Sequence, residues 1–182
     1  VGSCFGGLVG FLLASQQIYQ DYFEVGDAFA LYFGASALAV GVASFANNAL
    51  VARFGMRAMV SNASLLGAVW TLLFAGINLV QPLNLTGFIV MLVPLFFAMG
   101  LCFGNLNALA MEPMGHLAGT ASAIIGTLSS LVSVVAGSYV GGLYNGAIDV
   151  WCFGVGLMIL LSWAVVQLAI RAESNPNNLP VT

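Results

Sequence analysis

Long apolar runs separated by short polar breaks organise this chain. The pattern predicts six spans, at Val1–Tyr19, Ala28–Val51, Ala58–Val80, Gly87–Ala110, Gly119–Leu143 and Ile148–Ile170. An α-helix needs about 20 residues to cross a bilayer, and each run supplies that length. Helix is the conformation such runs must take, because a spanning backbone satisfies its own hydrogen bonds in lipid. A transmembrane barrel would alternate polar and apolar positions in strands of about ten residues, and no segment does so. The expected class is an all-α membrane protein whose residues 1–170 form one six-helix bundle.

Composition sharpens this picture. Of 182 residues, 61% are hydrophobic and only 5% charged, against about a quarter in ordinary globular chains. Arg53 and Arg57 fall between the second and third spans, and Arg171 follows the last, so an even number of crossings separates them. The positive-inside rule then makes that face cytoplasmic. Glu112, His116 and Glu173 share it, while Asp21, Glu24, Asp27 and Asp149 fall outside. Tyr19, Tyr22, Tyr144 and Trp151 gather at the expected outer interface, where aromatic residues are enriched. Residues 171–182 are polar and rich in Asn and Pro, and are expected to form a disordered cytoplasmic tail. Val1 is not an initiator methionine and the apolar run begins at once, so a fragment starting inside or just before a helix is expected. The bilayer is the expected partner, with no nucleic acid and no cofactor.

Little in the chain suggests enzyme chemistry. Cys4, Cys102 and Cys152 are odd in number and expected at different depths, so neither a disulfide nor a metal site is anticipated. Asn84-Leu85-Thr86 fits a glycosylation acceptor but lies in a very short outer loop, where the match is coincidental. Glu112 and His116 stand four apart, yet Pro113 breaks the helix between them. An intramembrane enzyme built on that pair would lack a convergent nucleophile or metal set.

Polar positions inside the spans are the candidates for a substrate path. In the fifth span Ser122, Gly126, Ser129, Ser133 and Gly137 share one helical face. They are either a packing seam or the wall of a polar cavity, since small and hydroxyl residues serve both. Gly6, Gly10 and Ala14 in the first span, and Gly137 with Gly141 in the fifth, have the four-residue spacing that lets helix backbones approach. Tyr32, Ser36, Ala43 and Asn47 give the second span a face too polar for lipid. Gln16, Gln17 and Tyr19 form a polar cluster at the outer end of the first span, either interfacial or the rim of a path. Asn105 and Asn107 lie about 200° apart on a helix and cannot both face one cavity, and Pro94 offers a kink in the same span. The candidate path residues are Gln16, Gln17, Tyr19, Tyr32, Ser36, Asn105, Ser129 and Ser133. No Asp, Glu, Lys, Arg or His lies in the interior of any span, Asp149 standing at the edge of the last. Buried charges in a membrane are costly and retained for function, so this chain has no evident proton relay of its own.

Two stretches carry a resemblance. Arg53, Gly55 and Arg57, after Asn48-Ala49-Leu50-Val51-Ala52, resemble the second copy of the major facilitator superfamily signature between helices 8 and 9. Asn48 and Ala52 stand where that pattern has Gly and Asp. The segment from Asn105 to Ala123, with its Asn-rich helix end, Glu112-Pro113, Gly115-His116 and Ala118-Gly119-Thr120-Ala121-Ser122, resembles helices 10 to 11 of Bcr/CflA-type multidrug-resistance transporters. Ala14-Ser15 and Ile18-Tyr19-Gln20 resemble that family's helix 7, with Gln16 where a proline is expected. The resemblance covers the whole chain as helices 7 to 12. It implies one half-bundle of a transporter with two six-helix halves, substrate between them and alternating access. It further implies proton-coupled efflux of small hydrophobic or cationic drug-like molecules from the bacterial inner membrane, with the coupling acid in an absent N-terminal half. Arg53, Gly55 and Arg57 become candidate residues of a cytoplasmic gate loop. A small homodimeric carrier or channel, and a non-transporting structural subunit, are the alternatives.

Overall fold

A computed structural model describes residues 1–173. The tail from Ser174 onward and the side chain of His116 lie outside the described residues. Six long helices account for the fold: α1 (Gly2–Gln17), α2 (Phe29–Phe54), α3 (Met56–Val80), α4 (Leu85–Met111), α5 (Ala118–Gly142) and α6 (Ile148–Glu173). Helices α2 to α6 are each long and apolar enough to cross a membrane. Helix α1 has 16 residues and is prolonged by a π-helical turn, Ile18–Tyr22. Arg171, Ala172 and Glu173, expected in the tail, instead form the last turn of α6.

The packing repeats itself. Helix α1 lies along α5 and α6, as α4 lies along α2 and α3, and α3 packs against α6. The last three helices thus pair as the first three do, with α4 in the place of α1, α5 of α2 and α6 of α3. Of helices α2 to α6, α4 is the most buried, sealing the centre with Met91, Leu92, Leu95, Phe96 and Met99. Helices α2 and α5 are the least buried. They flank one open face of the bundle, with α3 and α6 on the other side.

Small residues fix the α1–α5 approach. A Cβ built on Gly137 would stand 2.5 Å from Val9 Cβ and 2.9 Å from the Gly6 carbonyl oxygen. One on Gly10 would meet Val140 at 2.9 Å. Ser133 Oγ donates across this seam to the Gly2 carbonyl at 3.0 Å, and Trp151 Nε1 reaches the Gly10 carbonyl at 3.3 Å. The α3–α6 side is braced by polar groups: Gln167 Nε2 donates to Ser61 Oγ, while Ser64, Thr71 and Ser162 are buried. Ser64 and Thr71 donate to the Val60 and Gly67 carbonyls within α3, because lipid offers no partner.

The connections explain several motif matches. Asn84 caps α4, its Oδ1 accepting from Gly87 N at 2.8 Å, and buried Asn78 accepts from Leu83 N at 2.8 Å. Trp70 Nε1 donates to the Met91 carbonyl at 3.2 Å, one turn before Pro94. Gly55 alone separates α2 from α3, with φ +79° and ψ 155°, and its N–H closes α2 on the Val51 carbonyl at 2.8 Å. A side chain is strained there, by about 1–3 kcal/mol. Gly55→Ala should therefore lower the thermal unfolding midpoint in detergent, although no atom stands within 4 Å of the new methyl. An unchanged midpoint would mean that the turn relaxes freely.

Candidate functional site

The open face holds a cavity of about 310 Å3 between α1, α4 and α5, lined by Val1, Phe5, Val9, Asn107, Gly126, Ser129, Ser130, Ser133 and Val134. Helix α1 supplies its apolar floor, and Phe5 stacks on Phe103 of α4 with ring centroids 4.1 Å apart. Helix α5 supplies hydroxyls. The fifth-span stripe therefore divides: Ser133 and Gly137 are buried in the seam with α1, whereas Gly126 and Ser129 open onto the cavity. Ser133 also touches the cavity, but its proton is taken by backbone carbonyls of Gly2 and Ser129. The stripe thus meets α1 along part of its length and lines the cavity along another part.

The two asparagines separate as the helical angle requires. Asn105 is buried, and its Nδ2 donates to Asn47 Oδ1 and to the Leu101 carbonyl, each at 2.7 Å, tying α4 to α2. Asn107 lines the cavity instead, its Nδ2 held by the Phe103 carbonyl at 3.1 Å. Its Oδ1 is the atom left to face a ligand. Phe5, Asn107, Gly126 and Ser130 were outside the candidate set. The opposed directions of Asn105 and Asn107 were the available signal, without a sign of which one faced the cavity.

Tyr19, Tyr32 and Ser36 form a second group, away from the cavity. Tyr19 is fully buried on its π-turn, with its hydroxyl 3.2 Å from Ser36 Oγ. Ser36 donates to the Tyr32 carbonyl at 3.0 Å, so Tyr19 is the donor to Ser36. Tyr32 stacks on Tyr19 at 6.2 Å, and Phe11, Phe29 and Phe88 meet the Tyr19 ring edge-on. These residues pack the acidic end of the bundle as an aromatic plug. Gln16 and Gln17 are exposed beside it. At the same end Tyr144 approaches Asp21 and Tyr22; burial first, then those two groups, hold its phenol above the ordinary range.

At the opposite end Arg57 bridges two helix termini. Its Nη2 lies 3.1 Å from Glu112 Oε2 at the end of α4 and 3.0 Å from Glu173 Oε2 at the end of α6. All three side chains are about half exposed. Exposed ion pairs contribute about 0–1 kcal/mol each, so this cluster orients helix ends more than it stabilises them. Arg53 lies over the Phe54 ring, 5.2 Å from its centroid. Glu112 to Leu117 is a tight 3-10 turn, irregular at Met114.

One expectation is corrected. Cys4 and Cys102, expected at different depths, line the same crevice where α1, α3, α4 and α6 meet. Sequence distance hid this, because α1 and α4 are equivalent members of the two repeats.

Fold and site together define an all-α membrane protein with the form of one major facilitator half-bundle, and its sequence resembles transporters of that superfamily over most of its length. Over 165 residues the chain is 28% identical to a bicyclomycin resistance protein homolog of Haemophilus influenzae, covering 87% of this chain and 40% of that protein. It is 32% identical over 147 residues to the uncharacterised MFS-type transporter YdgK of Bacillus subtilis, covering 78% of this chain and 35% of that one. The chain thus spans well under half the length of these curated relatives. No family model and no solved structure matches it.

Proposed function

We propose that this chain is the C-terminal half of a secondary active transporter, a proton-coupled drug efflux antiporter working by alternating access in the bacterial inner membrane. The open face between α2 and α5 carries the proposal: its cavity joins apolar Phe5 and Val9 of α1 and Val134 of α5 to a few polar groups, Asn107, Ser129 and Ser130. Ligand sites are mostly apolar with few polar groups that fix orientation, and that balance suits a hydrophobic or cationic drug-like molecule. An N-terminal six-helix half covers this face, places substrate between the halves and rocks against it. That half also supplies the coupling acid, since the span interiors here hold no Asp, Glu, Lys, Arg or His. Arg53, Gly55 and Arg57, with the C-terminus, lie on the cytoplasmic side, where the Arg57 cluster acts in the gate. The Haemophilus relative's name, a bicyclomycin resistance homolog, supports drug export as the activity.

The test is reconstitution of the intact transporter in proteoliposomes with an imposed pH gradient. Uptake of a fluorescent cationic dye should follow the gradient and stop when a protonophore collapses it. Gradient-independent uptake, or none with any cationic or neutral drug, defeats the antiporter reading. The 182-residue chain alone should transport nothing; gradient-driven uptake by it would favour a homodimeric carrier instead.

A further inference from the structure

We propose that Cys4, Met99 and Cys102 form a binding site for a soft monovalent metal cation of the Cu(I) or Ag(I) class. The three residues come from α1 and α4 and line one narrow crevice, too tight for water, where α1, α3, α4 and α6 meet. Each of the three residues is 1% exposed. Cys4 and Cys102 share the wall of this crevice, and the Met99 methyl reaches over Gly7, where an added Cβ would stand 2.8 Å from it.

The surroundings select the cation. Leu95, Ala98 and Ile159 make the remaining wall apolar, and the one hydroxyl present, Ser64, already donates to the Val60 carbonyl. The Cys102 thiol has only a weak contact of 3.9 Å to that same carbonyl. No carboxylate or imidazole lines the crevice, so hard cations lack ligands. Thiolate and thioether sulfur favour soft ions, and zinc would need four ligands in structural sites. Charge decides further, because a net charge in a dry interior is costly. A monovalent cation that displaces the proton of one thiol, M⁺ + RSH → RS–M + H⁺, leaves a neutral complex. One S–H bond breaks, one S–M bond forms, the proton passes to water at the membrane surface, and no electron is transferred. The second thiol and the Met99 thioether complete the coordination as neutral donors. Such an ion would tie α1 to α4, the matching helices of the two three-helix repeats.

Silver nitrate in chloride-free buffer is the probe, applied to the intact protein in detergent, with bound silver counted after desalting. Cys4→Ser, Cys102→Ser and the double variant should each lose the same single equivalent. Met99→Leu should retain that equivalent but bind it about tenfold more weakly, the loss of one donor. Two equivalents lost by the double variant and one by each single variant would mean independent thiols and overturn the site, as would no loss at all. Should a substitution prevent folding, silver-edge absorption of the unsubstituted protein at one equivalent decides. More than one sulfur neighbour per silver is expected, and a single sulfur refutes the site.

Discussion

Gly137→Ala should destabilise the bundle by about 1–3 kcal/mol, the usual penalty for overpacking a well-packed core. Alanine is ordinarily the better helix residue, by about 1 kcal/mol, so the sign of the effect is informative. The new Cβ would stand 2.5 Å from Val9 Cβ and 2.9 Å from the Gly6 carbonyl oxygen. Backbone cannot swing aside as the end of a flexible side chain can, so α1 and α5 must separate. Separation stretches the Ser133–Gly2 hydrogen bond and loosens the closely packed α1–α5 pair. Leucine at the same position should prevent the seam from forming. Gly126 lies on the same helix with nothing within 4 Å of a built Cβ, and Gly126→Ala should be neutral or mildly stabilising. Thermal unfolding in detergent, followed by far-UV circular dichroism and gel filtration, compares the three. Equal midpoints for the alanine variants at Gly137 and Gly126 would show that α1 and α5 are not held by close backbone contact.

The same seam shows how far a sequence of this kind can be read. Gly6, Gly10, Gly137 and Gly141 were visible as a spacing, and the spacing was correct about close approach; which helices approached was not written in it. Six apolar runs specify helices because lipid leaves the backbone no alternative. Their pairing depends on small differences in shape between faces that all look alike in hydropathy. Polar residues inside spans were easy to find and hard to assign. Asn105 and Asn107 could be set apart by helical angle alone, yet the side turned to the cavity was fixed by Asn47, a partner 58 positions away along the chain. Tyr19 is placed by a π-turn, an extra residue in the helical repeat that periodicity cannot register. The Arg57 bridge was foreshadowed by topology, since both Glu112 and Glu173 were expected on its side. The sulfur crevice was not, because cysteine and methionine pass as ordinary apolar residues until two helices bring them together.

Ser129→Trp should reduce drug transport by the intact protein at least tenfold while leaving its unfolding midpoint nearly unchanged. Ser129 lines the cavity on α5, together with Phe5 of α1 and Asn107 of α4. Its side chain makes no hydrogen bond that the fold relies on; the Ser129 carbonyl that Ser133 uses belongs to the backbone and survives substitution. An indole there occupies much of a cavity of about 310 Å3 and excludes a drug-sized ligand, which needs about 300–1,000 Å3. Ser129→Ala separates volume from chemistry. It removes a hydroxyl and adds no bulk, so transport of an apolar dye should persist within a few-fold, a hydrogen bond being worth about 0.5–1.5 kcal/mol. The tryptophan effect should also grow with the size of the transported molecule. Full transport by Ser129→Trp would place the substrate path elsewhere and leave the cavity as a gap in packing. A loss of transport equal in Ser129→Trp and Ser129→Ala would instead assign Ser129 a specific polar contact that steric exclusion does not require.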